Sequence, residues 1–449
     1  VPGGASRRDF LRLSGGLAVA GLAAGCGSPV ASSLTGSQPA TADVIFWHLF
    51  GGGDGENMTA MVQDFEKSSR LSVEATLLSW GNPYYTKLAL AASSGRPPDV
   101  AIAHLSRLPL LAQAGLLESV DEAGITAAGI TKDRFTPAAW SKATVDGTTY
   151  AVPLDTHPFV MFYNRALAEK AGLLDGSGKL RPTSGRQGFL DAISAMKDAG
   201  GGDYGAISAN TADPSTTWRF FLTLYSGLAG PIVEDQGTRI TLDRSAAEET
   251  FALMRELTVG KKLMPSSATA TTVSTLFGQG KVGFLFDGVW QIPTYQGVKL
   301  ASGDPLDFDV VPFPAILGDE PRSYADSHSL IIPKSTARSP ERSRDAVAFI
   351  KGLLDRSATW AGGGHVPAWL PTQQSQQFKE LKPQSNYVQA AFDAVYDPAG
   401  WYTGAGSDFQ NSMGAVITKV LAGQARPAAA VGEMTDSLQG YAAAKPPVS

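Results

Sequence analysis

Thr148–Asn164 reads TTYAVPLDTHPFVMFYN, two apolar halves around a polar break. Tyr150, Val152 and Leu154 alternate with smaller residues, the pattern of a half-buried strand. Pro153 cannot donate to a sheet ladder and fixes its own φ, so the strand bends or lies at an edge there. Asp155-Thr156-His157-Pro158 then sets a carboxylate, a hydroxyl and an imidazole side by side. Phe159–Tyr163 is almost wholly apolar, which suits a strand buried on both faces. One long extended segment that leaves one lobe and enters a second, with its polar middle facing the gap, accounts for the pattern. An ordinary bulged strand within a single domain is the alternative at this point.

N-terminal to that stretch, Ser6-Arg7-Arg8-Asp9-Phe10-Leu11 is a twin-arginine export pattern. The Gly/Ala-rich run Leu13–Ala24 follows, about 12 residues where a stable span needs about 20. It ends in Leu22-Ala23-Ala24-Gly25-Cys26, similar to a lipobox, although the large apolar residue sits four places before the cysteine rather than three. Cys26 is the only cysteine in the chain, which excludes an intramolecular disulfide and a cysteine-based zinc cluster. Lipidation of Cys26, membrane association through that anchor and an extracytoplasmic location are the expectation. Residues 27–42 are rich in Gly, Ser, Pro and Thr and read as a flexible tether. Roughly 400 residues remain, more than one core usually serves, so two lobes are expected. Lys and Arg total 37 against 42 Asp and Glu, a net charge of 37 − 42 = −5. With no basic run, nucleic-acid binding is disfavoured.

The next elements alternate. Asp43–Phe50 is a strand, a glycine turn follows, and a helix over about Glu56–Ser68 carries Met58, Met61, Val62 and Phe65 on one face. The turn lacks the spacing of a nucleotide loop. Strands at Leu71–Leu78 and Asp99–Ala103 and helices at Tyr85–Ser94 and Leu105–Ala114 continue the alternation, which predicts a parallel, doubly wound sheet. Ligands of such sheets sit beyond the strand C-termini, where Trp47, His48, Trp80 and His104 fall. Further helices are predicted over Gly188–Asp198, Thr216–Ser226, Ser245–Thr258, Pro340–Leu354, Tyr387–Val395 and Phe409–Leu421. Asp326-Ser327-His328 followed by Ser329–Ile332 repeats the build of the opening stretch and reads as a second crossing.

FWH at 46–48, ASSGRPPDV at 92–100, GTTYAVPLDTHPFVMFYNRALAEKAGL at 147–173, FGQGKVGFLFDGVW at 277–290 and VLAGQARPAAAV at 420–431 occur in that order. Together they resemble the extracellular solute-binding proteins of ABC transporters, family 1, the carbohydrate binders related to maltose- and trehalose-binding proteins. The resemblance implies an α/β, two-lobe periplasmic-binding-protein fold of type II with three interlobe crossings. It divides the chain into a signal (1–26), a tether (27–42), lobe 1 (43–154 plus 328–380) and lobe 2 (155–327 plus 381–449). It also implies a monomeric receptor that is not an enzyme, needs no cofactor or metal, holds a carbohydrate between its lobes and delivers it to ABC permease subunits in the membrane.

Sugars need hydrogen-bonding groups at their rims and flat rings against their C–H faces. Trp290, after Gly288, matches the tryptophan that stacks on sugar in the resembled family, and Asp155 lies near an acidic ligand residue of that family. Where its relatives carry Trp and acidic residues after PDV, this chain has Ala103-His104. Loop position adds Trp369, Trp401 and Tyr402. Tyr84 follows Trp80, Trp218 opens a helix, and Trp47 and His48 alternate, so that one faces the cleft and the other the core. Trp140 and Trp360 read as structural. Asp54, Asp287, Asp326, Ser327 and His157 supply polar groups at the same edges, where the aspartates could equally cap helices. An acidic cleft would favour an amino sugar. The five histidines show no HxxxH or HExxH spacing, so no metal site is predicted. A lipid-anchored glycoside hydrolase, with carboxyls about 5–9.5 Å apart, is the rival from another class; an adhesive lipoprotein without a small ligand is a third.

Overall fold

The computed structural model describes residues 42–210 and 213–445. The predicted export signal, Cys26 and the tether as far as residue 41 lie outside them. A five-stranded and a seven-stranded sheet organise the fold. In chain order their strands are Val44–His48 (β1), Val73–Leu77 (β2), Val100–His104 (β3), Val152–Pro153 (β4), Asp155–Asn164 (β5) and Ala206–Ile207 (β6). Phe284–Gly288 (β7), Phe308–Val311 (β8), Ser323–Asp326 (β9), His328–Ile331 (β10), Val366–Pro367 (β11) and Ala394–Val395 (β12) follow.

The first sheet runs β2-β1-β3-β10-β4. β1 is parallel to β2 and β3, as the alternation of strands and helices predicts. β10, however, runs antiparallel to β3 and β4, so the sheet is mixed rather than parallel throughout. The reason is topological: β10 enters from the other lobe instead of returning through a βαβ crossover. The helix Gly52–Ser69 (α1) buries Met58, Met61, Val62 and Phe65, the face its periodicity predicts. It begins at Gly52, so the glycines expected to form a turn supply its first turn.

β5 is the axis of the second sheet. It runs antiparallel to β7, β8, β9 and β11. Phe159, Met161 and Tyr163 enter one apolar cluster, while Val160 and Phe162 enter another on the opposite face. Successive side chains of a strand point to opposite faces, and burying both is what the unbroken apolar run Phe159–Tyr163 encodes. The polar break behaves differently from expectation. Asp155 and Thr156 do not face open space but are buried within the strand.

The connections between the sheets are short. Only Leu154 separates β4 from β5, and only Ser327 separates β9 from β10. Backbone register places Asp326 opposite His157, His328 opposite His104, and Val366 opposite Thr156. The glycine loop at 362–371 therefore contains a strand. The predicted helix Tyr387–Val395 shortens to Val388–Phe392 and gives way to β12. The C-terminal helix Pro427–Ala443, absent from the sequence reading, closes the second core with Val431, Met434 and Leu438.

A buried ion cluster ties the first sheet to the helix Pro340–Asp355 and the turn before it. Asp99 accepts from the Ile45 amide at 2.8 Å and pairs with Arg338 at 3.4 Å and with Arg342. Arg338 is itself 3% exposed and also binds Glu118 at 2.5 Å. Removing one partner of a buried pair leaves an uncompensated charge, at a cost of about 3–5 kcal/mol. Asp99→Ala is therefore expected to lower the unfolding free energy by about that amount in urea titration. Asp243→Ala, which removes a helix cap at Ser245 and Ala246, should cost only about 1 kcal/mol.

Candidate functional site

A cavity of about 340 Å³ lies where the two sheets meet. Phe50, Gly51 and Asp54 border it just beyond the C-terminus of β1, and Trp80 and His104 continue that side. His157, Asp326 and His328 come from the crossing strands. Asp213, Arg219, Trp290 and Tyr324 complete the far wall. The position beyond strand C-termini is the one the alternating topology predicts.

Two tryptophans present ring surface here. Trp80 is 47% exposed and packs beside Gly406, where an added Cβ would come within 3.1 Å of the ring. Trp290 folds back over Gly288, whose missing side chain makes room: a Cβ there would lie 2.0 Å from the indole. Arg219 stacks its guanidinium 4.9 Å from the Trp290 centroid, a cation–π contact that fixes the ring. The buried Arg219 Nε has no hydrogen-bond partner among the described residues.

Asp155 anchors the floor from behind. Its Oδ1 accepts from the His328 amide at 2.9 Å and lies 3.0 Å from His157 Nδ1. Its Oδ2 accepts from Trp360 Nε1 at 2.6 Å and lies 2.8 Å from His328 Nδ1. Burial alone would raise this carboxyl, but His328, His365 and His157 together hold it well below the ordinary range. His365 stands between two carboxylates, 3.2 Å from Asp155 and 3.0 Å from Asp54. Burial works against its charge, yet the two acids outweigh burial and raise it to about 10. Burial pushes His157 and His328 down, and His104 well down with help from the neighbouring His328 and His157. Asp326, raised to about 6 by burial, accepts from the Ser106 hydroxyl and the Ser327 amide.

Of the residues singled out in the sequence, Asp54, Trp80, His104, His157, Trp290 and Asp326 border the cavity. Gly288 acts through the space it leaves. The remainder lie elsewhere. Trp47 is core, and His48 faces a separate groove beside Met58 and Leu77. Tyr84 donates to the carbonyls of Trp47 and Ile102 inside the first core. Trp218 is fully buried and donates to Asp397 at 2.7 Å. Trp369 packs on Phe135. Tyr402 donates to the Gly237 carbonyl, and Trp401 packs beside it against the second core. Asp155 and Ser327 sit behind the cavity wall, the Ser327 hydroxyl donating to the Asp155 carbonyl. Asp287 is buried and turns back to its neighbour's amide at 2.7 Å. Tyr84, Asp287, Ser327 and Tyr402 are held by backbone groups, whereas the Trp218 indole is held by the Asp397 carboxylate.

Sequence reasoning missed Arg219, Asp213 and Tyr324. Arg219 carried a legible signal, because a cation inside the apolar helix Pro214–Tyr225 must find a partner. Trp218 reads equally as ligand contact or core, and the next residue on the helix is the one that turns to the cavity. Asp213 caps that helix through the Thr216 amide, so its sequence signal pointed to a cap.

Residues 51–359 match the family model described as bacterial extracellular solute-binding protein. A maltooligosaccharide ABC transporter solute-binding lipoprotein of Streptococcus pneumoniae is 25% identical over 339 residues, covering 70% of this chain and 72% of the relative. The maltodextrin-binding protein MdxE of Bacillus subtilis is 22% identical over 402 residues, covering 88% and 87%. Among solved structures, the sugar-binding protein MalE of Xanthomonas citri superposes with a TM-score of 0.74 at 19% identity, covering 89% of this chain and 97% of that one. The GacH receptor of Streptomyces glaucescens, solved unliganded and with acarbose, superposes at 0.72 and 19% identity, with the same coverages.

Asp287 makes a test by pH. Burial, with Asp213 adding repulsion, lifts its carboxyl from 3.8 to about 7 against the Gly288 amide and Arg219. Below pH 3.8 the group is neutral folded and unfolded. Between that value and about 7 only the unfolded chain ionises, so stability falls as pH rises; above 7 the full cost remains. Asp287→Asn should match the parent at low pH and exceed it at pH 8, by on the order of 4 kcal/mol, in parallel denaturation curves. A difference independent of pH would contradict the assignment.

Proposed function

The chain belongs to the bacterial extracellular solute-binding protein family, and from that premise we propose that it captures a maltooligosaccharide-type sugar in the cavity between its sheets. Members of this family bind and hand over solutes rather than transform them, which sets the hydrolase alternative aside. The receptor serves an ABC permease in the membrane and works outside the cytoplasm.

The observation that carries the ligand reading is the pairing of Trp290 with Arg219 at one wall. Both residues line the cavity, with the guanidinium packed on the indole, and an aromatic ring beside a cationic hydrogen-bond donor is the pairing that sugar C–H groups and rim hydroxyls need. Trp80 supplies a second face across the opening. The names of the relatives support an α-glucan. One core drawn from 44–154 and 330–369, set against the clusters on the two faces of β5, supports two lobes, with Ala361, Val366 and Phe378 packing on the second. The lobes close over the sugar by rotation about the crossings.

Charge refines the substrate class. Asp54 is already met by the protonated His365, which leaves Asp213 and Asp326 lining the cavity against one arginine, and an amino sugar would bring the compensating cation. Calorimetric titration with matched amino, N-acetyl and neutral sugars tests this: the amino form should bind tightest, and equal affinities would overturn it. Trp290→Ala should weaken the best ligand about tenfold, or about 1.4 kcal/mol, while leaving the melting temperature within a few degrees. Unchanged affinity would move the sugar site elsewhere. Anchoring through Cys26 completes the reading. In a host that exports the full chain, Cys26→Ala should shift the protein from the membrane fraction to the soluble fraction; retention in the membrane would remove the anchor.

A further inference from the structure

Four of the five histidines in the chain crowd one region, and three of them surround a single carboxylate. Asp155, His157, His328 and His365 each offer a ligand atom, all four within 4.8 Å of one another, and all four residues are buried. They come from three separate segments, which is why no spacing motif announces them. Backbone pairing brings the segments together: Asp326 beside His328 faces His157, and Val366 beside His365 faces Thr156.

We infer that Asp155, His157, His328 and His365 form a tetrahedral binding site for a divalent transition metal, with zinc as the fitting ion. Imidazole nitrogen and carboxylate oxygen are zinc ligands, and four protein ligands characterise a structural rather than a catalytic site. Bonds of about 2.1 Å would give ligand separations of about 3.4 Å, so small side-chain movements close the site. The atoms converge already: the Nδ1 atoms of His157, His328 and His365 lie 3.0, 2.8 and 3.2 Å from Asp155 oxygens. His365 Nδ1 is buried, and its approach to Asp155 lacks hydrogen-bond direction, leaving it without a hydrogen-bond partner among the described residues. That is an orphaned donor atom turned into the cluster.

The outer shell has the form metal sites use. His365 Nε2 lies 3.0 Å from Asp54 Oδ1, the carboxylate–histidine arrangement that fixes a ligand tautomer. Trp360 donates to Asp155 Oδ2 and stacks on His365 with centroids 4.4 Å apart, holding both ligands in place. A metal here would fasten β5 and β10 together at the point where the chain crosses between sheets. The proposal does not depend on which sugar binds.

The test uses tag-free protein, stripped with chelator and dialysed against zinc chloride with no sugar present. Elemental analysis should find one zinc per chain, and zinc should raise the melting temperature. Cobalt loading should give the visible absorption of a tetrahedral site. His365→Gln and His328→Gln should each abolish stoichiometric uptake. Asp54→Asn, which touches only the outer shell, should weaken affinity about 10- to 100-fold while the fold survives. No zinc retained by the parent protein would overturn the proposal without reference to any variant. Uptake unchanged in all three variants would overturn it equally.

Discussion

The carboxylate of Asp155 is the constraint around which the rest is arranged. A charge with no exposed surface costs several kcal/mol unless its lone pairs are met, and here they are met by the Trp360 indole, a backbone amide and the imidazoles of His157 and His328. These groups come from positions 157, 328 and 360, so satisfying one side chain requires both crossings and the helix at 357–362 to be in register together. The cavity wall is the other face of that arrangement. His157 and His328 meet Asp155 with Nδ1 while their rings border the space in front.

Much of the fold was legible because its signals are local. The alternation of short apolar strands with amphipathic helices, the two-sided burial of Phe159–Tyr163 and the polar run ahead of Ser329 each follow from neighbouring residues. What escaped was long-range. That β10 turns antiparallel to β3 depends on where the chain has been in between, and the strand hidden in the glycine loop exists only because β5 lies beside it.

The cavity divides the same way. Trp290 and Trp80 could be read from strand-end position and ring chemistry. Asp155 was picked for its carboxylate, but whether an acid faces a ligand or a neighbouring histidine is decided by partners that lie 173 residues away, as with His328. The same holds for Trp218, whose indole meets Asp397, while Arg219, one residue along, turns the other way. A helix sends successive side chains about 100° apart, so the choice between them rests on which face the sheet covers.

Leu154 and Ser327 are the sole residues between paired strands on the two sides. At both positions a single residue carries the chain from one sheet to the other. The Ser327 hydroxyl donates to the Asp155 carbonyl, which joins one crossing to the other. The two crossings are thus tied to each other backbone to side chain, directly behind the wall that His157, Asp326 and His328 give the cavity.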